Sequence, residues 1–286
     1  MKYLHISNGW EQWNGAAVIA RFIMDEQRKA GHEVVFRRWA TIWELRAADE
    51  VWIHCGWMPC LWWANLWAKK AVRMPEACYD PVRLKYHGWK KWLVGPIERW
   101  ALRRCKRIVA TCEEEKRWIE EYLGTDCPEI EVADIKRFFK IPESVKFPEK
   151  SGMQAINVLY LGRRHPLKGT EYLEQAVAEL NRYCRDKVPG CNVDCIELRE
   201  VSNAHGKELE KAWDWADVLC LPTLSDNFAL VVAEALERGK PVITTDGAPS
   251  WKDMPERQGF YLRGYRDGSE EMRVKLLKDA LMYMVD

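Results

Sequence analysis

Residues 219–245 read LCLPTLSDNFALVVAEALERGKPVITT, and this stretch decides the fold class that the sequence predicts. The apolar runs at 218–221 and 241–244 have the length and composition of buried strands. Between them, a polar turn leads into a predicted helix over 228–238, which stops at Gly239. A strand, a helix and a second strand in this order predict a parallel α/β sheet, whose ligands bind at the carboxyl ends of the strands.

Two acidic residues lie in the segment that joins these strands. Asp226 precedes the predicted helix, and Glu234 follows it eight residues later, about two helical turns along. At such a helix N-terminus the backbone N–H groups of Asn227, Phe228 and Ala229 are available to an anion. The segment is therefore predicted to bind a charged ligand. The alternative is an ordinary helix with an acid in its first turn.

The same residues resemble the signature of the family 4 retaining glycosyltransferases, which have the GT-B fold. That signature is an acidic residue, seven residues and Glu-Ala, followed by Gly-x-Pro-Val-Ile. Here it reads Ser225-Asp226-Asn227-Phe228-Ala229, Glu234-Ala235 and Gly239-Lys240-Pro241-Val242-Ile243. Asp226 stands where the family usually has Glu, and Ala229 stands where Gly is common. The resemblance implies that Asp226 is catalytic and contacts the donor sugar, that Glu234 accepts the ribose hydroxyls, and that 227–229 bind substrate.

The loop at 162–169, GRRHPLKG, joins a predicted strand over 155–161 to a predicted helix over 170–183. The loop combines two arginine guanidinium groups, a lysine ammonium group and a helix N-terminus, which together predict an anion pocket. The alternative is that these are ordinary charged residues on the surface. The loop resembles the family sequence Gly-Arg-x-x-x-x-Lys-Gly, in which Arg and Lys hold the donor pyrophosphate. By that spacing Arg163 and Lys168 are the implied ligands, and Arg164 is an extra cation.

The N-terminal half begins like a nucleotide-binding domain, with a predicted strand over 2–6, a turn at Gly15, a helix over 16–30 and a strand over 32–36. The family has a similar opening, so Gly15 is assigned to substrate binding. A strand predicted over 81–86 ends beside His87. The resemblance makes His87 the second catalytic residue, facing the donor sugar from the other domain, with a loop histidine as the alternative. His54, at the end of a strand predicted over 50–55, is a lower-ranked candidate.

The resemblance implies an α/β protein of the GT-B fold, with two Rossmann-like domains facing each other across a cleft. Residues 1–145 would form the acceptor-side domain and 146–286 the nucleotide-sugar-binding domain. The implied activity is metal-independent, retaining hexosyl transfer from a nucleotide-diphosphate sugar to a glycan or lipid-linked acceptor of the lipopolysaccharide or cell-surface polysaccharide type. No cofactor is expected beyond the co-substrate. The alternatives are a phage-type DNA-base glycosyltransferase, a non-catalytic sugar-nucleotide-binding module and a GT-B epimerase.

Composition agrees with two modest domains in a chain of 286 residues. No apolar run approaches the roughly 20 residues of a membrane span, and the N-terminus lacks the apolar core of a signal peptide. A cytoplasmic location is therefore expected, with a peripheral position at the inner face of the membrane as the alternative. The ten cysteines are scattered singly, so we expect reduced thiols and no metal site.

Basic residues and tryptophans are concentrated in the first half. Residues 1–150 carry a net charge of +5 and residues 151–286 carry −4, and thirteen of the sixteen tryptophans precede residue 120. A membrane surface and, less favoured, a nucleic acid are the partners that such a segment predicts. Trp89, Leu93, Ile97 and Trp100 also follow helical spacing, so packing in the core is the alternative.

Overall fold

A computed structural model describes residues 1–7, 15–54, 59–148, 155–187, 194–226 and 228–285, with the backbone alone for 59–62 and 91. The chain divides into two compact units, Met1–Phe138 and Phe139–Asp286. The predicted domain boundary, between residues 145 and 146, falls a little further along, in the irregular segment that opens the second unit.

The described part of the first unit is a parallel sheet with six helices. Its strands are β1 (Lys2–Ile6), β2 (Glu33–Arg37), β3 (Glu50–His54), β4 (Ala71–Met74), β5 (Arg107–Ala110) and β6 (Glu129–Val132). Its helices are α1 (Gly15–Lys29), α2 (Ile42–Ala47), α3 (Pro59–Trp67), α4 (Pro81–His87), α5 (Trp89–Arg103) and α6 (Glu113–Leu123). The strand order is β2-β1-β3-β4-β5-β6, so the direction of winding reverses between β1 and β3.

The second unit is built in the same way. Its described strands are β7 (Ile156–Leu161), β8 (Ile196–Val201), β9 (Val218–Leu221), β10 (Val242–Thr245) and β11 (Gly259–Leu262). Its helices are α7 (Thr170–Lys187), α8 (Lys207–Trp215), α9 (Leu230–Glu237) and α10 (Glu270–Val285). The order is β11-β10-β9-β7-β8, and winding reverses between β7 and β9. β9 and β10 are buried along their whole length, as expected for central strands of a parallel sheet.

The parallel α/β class is confirmed in both units, but one predicted element is wrong. Residues 81–86, predicted as a strand, lie in helix α4. Asp80 caps that helix by accepting a hydrogen bond from the Val82 amide, and Pro81 occupies the first position, where a missing N–H costs nothing. The strand at this point of the chain is β4, whose four residues include the buried Arg73 and so lack the pattern of an apolar strand.

The core alternative for the tryptophan-rich helix is also wrong. Helix α5 forms as the spacing predicts, but its large apolar side chains at 89, 93, 97 and 100 are exposed to solvent. Among the described residues, no helix is long and apolar enough to cross a membrane.

Candidate functional site

The reversal of winding in the second unit creates a crevice at the carboxyl ends of β7 and β9. Neighbouring strands on the two sides of such a point send their connections in opposite directions, which leaves room for a ligand between the loops. The loop after β7 spans 162–169, and the loop after β9 spans 222–229. These are the two loops that the sequence assigned to donor binding.

A glycine allows these two loops to touch. Gly169 has a left-handed backbone with φ of 63°, and a Cβ atom there would lie 2.2 Å from the carbonyl oxygen of Pro222. The amide of Leu224 and the hydroxyl of Thr223 both donate to the Leu167 carbonyl, at 2.9 and 3.1 Å. The loop after β7 is therefore fixed directly on the loop after β9.

The loop after β10 supports the same site from the other side. A Cβ atom on Gly247 would lie 2.1 Å from the Thr223 carbonyl oxygen, so only glycine fits. The Asp226 amide donates to the Gly247 carbonyl at 2.7 Å. Asp246 in turn accepts from the amides of Gly264 and Arg266, at 2.7 and 2.8 Å. The loop that carries Asp226 is therefore held in place by the loops after β7 and β10.

Lys168 and Asp226 meet in this crevice. The Lys168 Nζ atom forms an ion pair with Asp226 Oδ2, and their side chains are 15% and 24% exposed. Asp226 Oδ1 accepts from the Ala229 amide at 3.3 Å. Ala229 precedes α9 in a left-handed conformation, with φ of 51°, which glycine adopts more readily. The structure therefore joins the two predicted motifs through one pair of opposite charges.

Of the three amides that were predicted to face an anion, the Ala229 amide has a different partner. Asn227 lies outside the described residues. The Ala229 N–H donates to the Asp226 carboxylate rather than to open space. Phe228 is buried, and its carbonyl accepts from Trp251 Nε1 at 2.6 Å. In the described residues the helix N-terminus holds Asp226 in position.

Glu234 projects from the middle of α9 and is mostly buried. Burial raises the pKa of its carboxyl group above the ordinary value, and Glu237 and Glu210 add to that effect, while Arg238 opposes it. Arg238 itself donates to Glu210 at 2.9 Å. A carboxylate in this setting is suited to accept hydrogen bonds from neutral hydroxyl groups.

The two arginines of the first loop have different surroundings. Arg163 is exposed, and its carbonyl accepts from the Tyr160 hydroxyl at 2.8 Å. Arg164 forms an ion pair with Glu174 on α7 and lies 3.7 Å from Glu200 on β8. Arg164 is thereby directed to acids of its own unit.

Two buried histidines mark the equivalent position in the first unit, at the carboxyl ends of β1 and β3. His5 Nδ1 lies 3.0 Å from His54 Nε2, and His5 Nε2 lies 2.7 Å from the Gln27 side-chain oxygen. His54 Nδ1 is 3.6 Å from Glu76 Oε1. Burial lowers the pKa of His5 to about 4 and holds the pKa of His54 well below 6.5. The sequence marked His54; it missed His5, whose only signal is a polar side chain late in an apolar strand.

His87 and Gly15 belong to the first unit, whereas Lys168, Asp226 and Glu234 belong to the second. His87 is the last residue of α4, so the strand that was to present it does not exist. The catalytic role of His87 stays a prediction that has lost this support. Gly15 is the exposed first residue of α1, and its role also stays a prediction.

Two family models match the chain one after the other. A glycosyl transferase 4-like domain matches residues 10–133, and a glycosyl transferases group 1 domain matches residues 155–278. The chain is a family 4 glycosyltransferase. No curated protein matches it significantly in sequence.

Solved structures agree with the GT-B fold of this glycosyltransferase. A sucrose-phosphate synthase from Thermosynechococcus elongatus superposes with a TM-score of 0.70 at 13% identity, covering 100% of this chain and 90% of the other. WaaG, a glycosyltransferase involved in lipopolysaccharide biosynthesis, gives 0.62 at 12% identity, covering 100% and 92%. HepE from Anabaena, in complex with UDP-glucose, gives 0.61 at 12% identity, covering 99% and 94%. At these identities the likeness concerns the fold.

The described part of the glycosyltransferase contains no group of three or more His, Cys, Asp or Glu residues placed to hold a metal ion. The metal independence expected from the sequence remains a prediction. The seven described cysteines are free thiols, mainly in buried or half-buried positions.

Proposed function

We propose that the enzyme transfers a sugar from a nucleotide-diphosphate sugar to a glycan or lipid-linked acceptor, with retention of configuration and without a metal ion. The observation that carries this proposal is the Lys168–Asp226 pair at the crevice between β7 and β9. It combines an anion-binding cation and a carboxylate at the place where a parallel sheet binds its ligand.

Lys168 is proposed to bind the donor diphosphate. Its side chain is only 15% exposed, so its attraction for phosphate is less screened than that of a surface lysine. Arg163, exposed on the same loop, adds a planar fork of donors. As the bond to the sugar breaks, negative charge grows on the leaving diphosphate, and preorganised cations stabilise it. These two side chains would take the role that a metal ion plays in other transferases.

Asp226 is proposed to change partners when the donor binds. Without donor it neutralises Lys168. A diphosphate carries more charge than one carboxylate, so it competes for the ammonium group and leaves Asp226 to contact hydroxyls of the sugar. The neighbouring loop after β10 keeps the Asp226 backbone in place during this exchange.

Glu234 is proposed to accept the ribose hydroxyls. A mostly buried carboxylate is costly unless hydrogen-bond donors satisfy it, and two adjacent hydroxyls supply such donors without adding charge. His87 keeps its proposed role at the donor sugar as inferred from the family.

The proposed acceptor and donor classes each draw support from a structural neighbour. WaaG is involved in lipopolysaccharide biosynthesis, and HepE was solved with UDP-glucose. We therefore propose a cytoplasmic enzyme of cell-surface glycan synthesis. A DNA-base glycosyltransferase and a non-catalytic binding module are the alternatives, and turnover assays with glycan or duplex acceptors distinguish them.

Calorimetric titration with UDP, GDP and ADP sugars, each with and without EDTA, tests the proposal. We expect one nucleotide to bind equally in EDTA, and Lys168→Ala to weaken binding by about tenfold or more, the size of a lost charge-assisted hydrogen bond. Arg164→Ala is the matched control, since that cation is paired with Glu174, and it should bind like the wild type. Unchanged donor binding and transfer in both Lys168→Ala and Glu234→Ala would refute the assignment.

A further inference from the structure

Helix α5 carries its largest apolar side chains on its exposed side. Trp89, Trp92, Leu93, Ile97 and Trp100 are 68%, 80%, 55%, 52% and 41% exposed. Their spacing of three and four residues places them on one stripe, which we call the tryptophan face. A surface helix of a globular protein normally directs such residues inward.

The opposite side of α5 explains why the helix cannot simply rotate. Its one acidic residue, Glu98, is buried and accepts from the hydroxyls of Tyr79 and Tyr122, at 3.0 and 2.9 Å. Ala101 and Leu102 are buried beside it. The fold therefore buries a charged residue and leaves the tryptophans exposed to solvent.

Within the segment that carries the tryptophan face, the charges other than the buried Glu98 are all positive. Between residues 81 and 107 the sequence has nine lysines and arginines, and Glu98 is the sole acid. Lys85, Lys90, Arg103 and Arg104 are exposed, and the Arg104 guanidinium lies 5.0 Å from the Trp100 ring centre. This surface is complementary to a negatively charged partner.

A groove of about 520 Å³ opens beside the face. It is lined by Leu84, Trp92, Leu93, Pro96, Arg99 and Tyr122. The walls are mainly apolar, and the Arg99 guanidinium lies 5.1 Å from the Tyr122 ring centre. An apolar groove with a guanidinium beside it fits a hydrocarbon chain that ends in an anionic headgroup.

We propose that the tryptophan face docks the enzyme on an anionic phospholipid bilayer. Tryptophans settle at the boundary between headgroups and chains, leucine and isoleucine reach the chains, and lysines and arginines meet the phosphates. A second copy of the chain would bring the same positive charges against this surface, which opposes self-association. Leu93 and Ile97 provide no stacking for bases, which disfavours a single-stranded nucleic acid. The docking itself does not depend on the proposed function. Only its consequence, the delivery of a lipid-linked acceptor, rests on that function.

Vesicle flotation tests the docking without any transfer assay. The full-length protein is mixed with phosphatidylcholine vesicles that contain phosphatidylglycerol, and with vesicles of phosphatidylcholine alone, at low and high salt. We expect binding to the anionic vesicles that weakens with salt. The variant Trp89→Ala/Trp92→Ala should lose about tenfold or more in partitioning, and Lys85→Gln/Lys90→Gln about fivefold per charge removed.

The exposed pair Trp39 and Trp43, 62% and 78% exposed, gives a matched control outside α5. Trp39→Ala/Trp43→Ala should bind vesicles like the wild type. Absence of wild-type binding, equal loss in both tryptophan variants, or a dimer that Trp89→Ala/Trp92→Ala dissociates would overturn the proposal. Binding of an oligonucleotide that competes with the vesicles and needs the same tryptophans would also overturn it. Lys168→Ala should bind vesicles like the wild type while binding the donor more weakly, so failure of the docking and failure of the proposed function are distinguishable.

Discussion

At the scale of single residues, the site depends on two glycines, which lack a side chain, as much as on its charged groups. Gly169 and Gly247 each place an α-carbon where a side chain would overlap a carbonyl oxygen of the loop after β9. These two contacts bring Lys168 and Asp226 within reach of each other. Gly169 is the last residue of the family motif, and this close approach gives the physical reason for a glycine there.

Gly169→Ala should lower the free energy of unfolding by roughly 2–5 kcal/mol, because a left-handed alanine is strained and its methyl group meets the Pro222 carbonyl. Urea denaturation measures this loss. Gly31→Ala is the control: Gly31 has φ of 81°, with open space around its Cβ position, so only about 1–2 kcal/mol is expected. Equal losses in the two variants would show that the close approach of the loops is not needed.

At the scale of elements, helix α9 buries most of Glu234, the proposed ribose ligand, although burial disfavours its charged form. The raised pKa of Glu234 means that its charged form is disfavoured in the folded state. Below the ordinary pKa of 4.5 both the folded and unfolded states are protonated and no penalty exists. The penalty grows as pH rises from there through the folded pKa.

Glu234→Gln should therefore raise the melting temperature at neutral pH and weaken nucleotide binding, by roughly tenfold for one charge-assisted hydrogen bond. The gain in stability should shrink as the pH falls towards 4.5. Thermal melts across this range and calorimetric titration measure the two effects. Glu208→Gln, on the exposed side of α8, should change neither. A variant that is less stable at neutral pH would contradict the role of burial.

The buried histidines of strands β1 and β3 lead us to predict a second dependence of stability on pH. His5 and His54 are neutral in the folded state because burial depresses their pKa values, whereas the unfolded chain titrates near 6.5. As pH falls below about 6.5, unfolded molecules bind protons that folded ones do not, so stability falls by up to roughly 1.4 kcal/mol per pH unit for each histidine. For His5 the loss continues to about pH 4. Urea denaturation of wild type and His54→Gln should show the flatter pH profile in the variant, and identical profiles would refute it.

At the scale of the whole molecule, the chain is two units with separate cores. Each unit has its own parallel sheet and its own reversal of strand order. The proposed donor groups Lys168, Asp226 and Glu234 all belong to the second unit, whereas the tryptophan face belongs to the first. Donor binding and surface docking can therefore be altered independently by mutation.

Scanning calorimetry should show two unfolding transitions, because multi-domain chains depart from two-state behaviour. The nucleotide that binds should raise mainly the transition of the second unit, by about 2.7 kcal/mol of unfolding free energy at one hundred times its Kd. In Lys168→Ala, if binding is tenfold weaker, the same nucleotide concentration should stabilise that unit by only about 1.4 kcal/mol, half of the wild-type effect. A shift confined to the first unit would mean that the nucleotide binds elsewhere.

The sequence alone determined the parallel α/β class and the two-unit organisation, and it marked Lys168, Asp226 and Glu234 as candidate site residues. Strand length, helix periodicity and motif spacing are local properties, so they can be read along the chain. Only the tertiary structure showed that Lys168 and Asp226, 58 residues apart, form a pair, and that His5 meets His54. It also showed that residues 81–86 form a helix instead of the predicted strand, and that the tryptophans of α5 are exposed to solvent. Burial and long-range contact depend on what packs against each residue, and helical spacing gives a stripe without saying which side faces solvent.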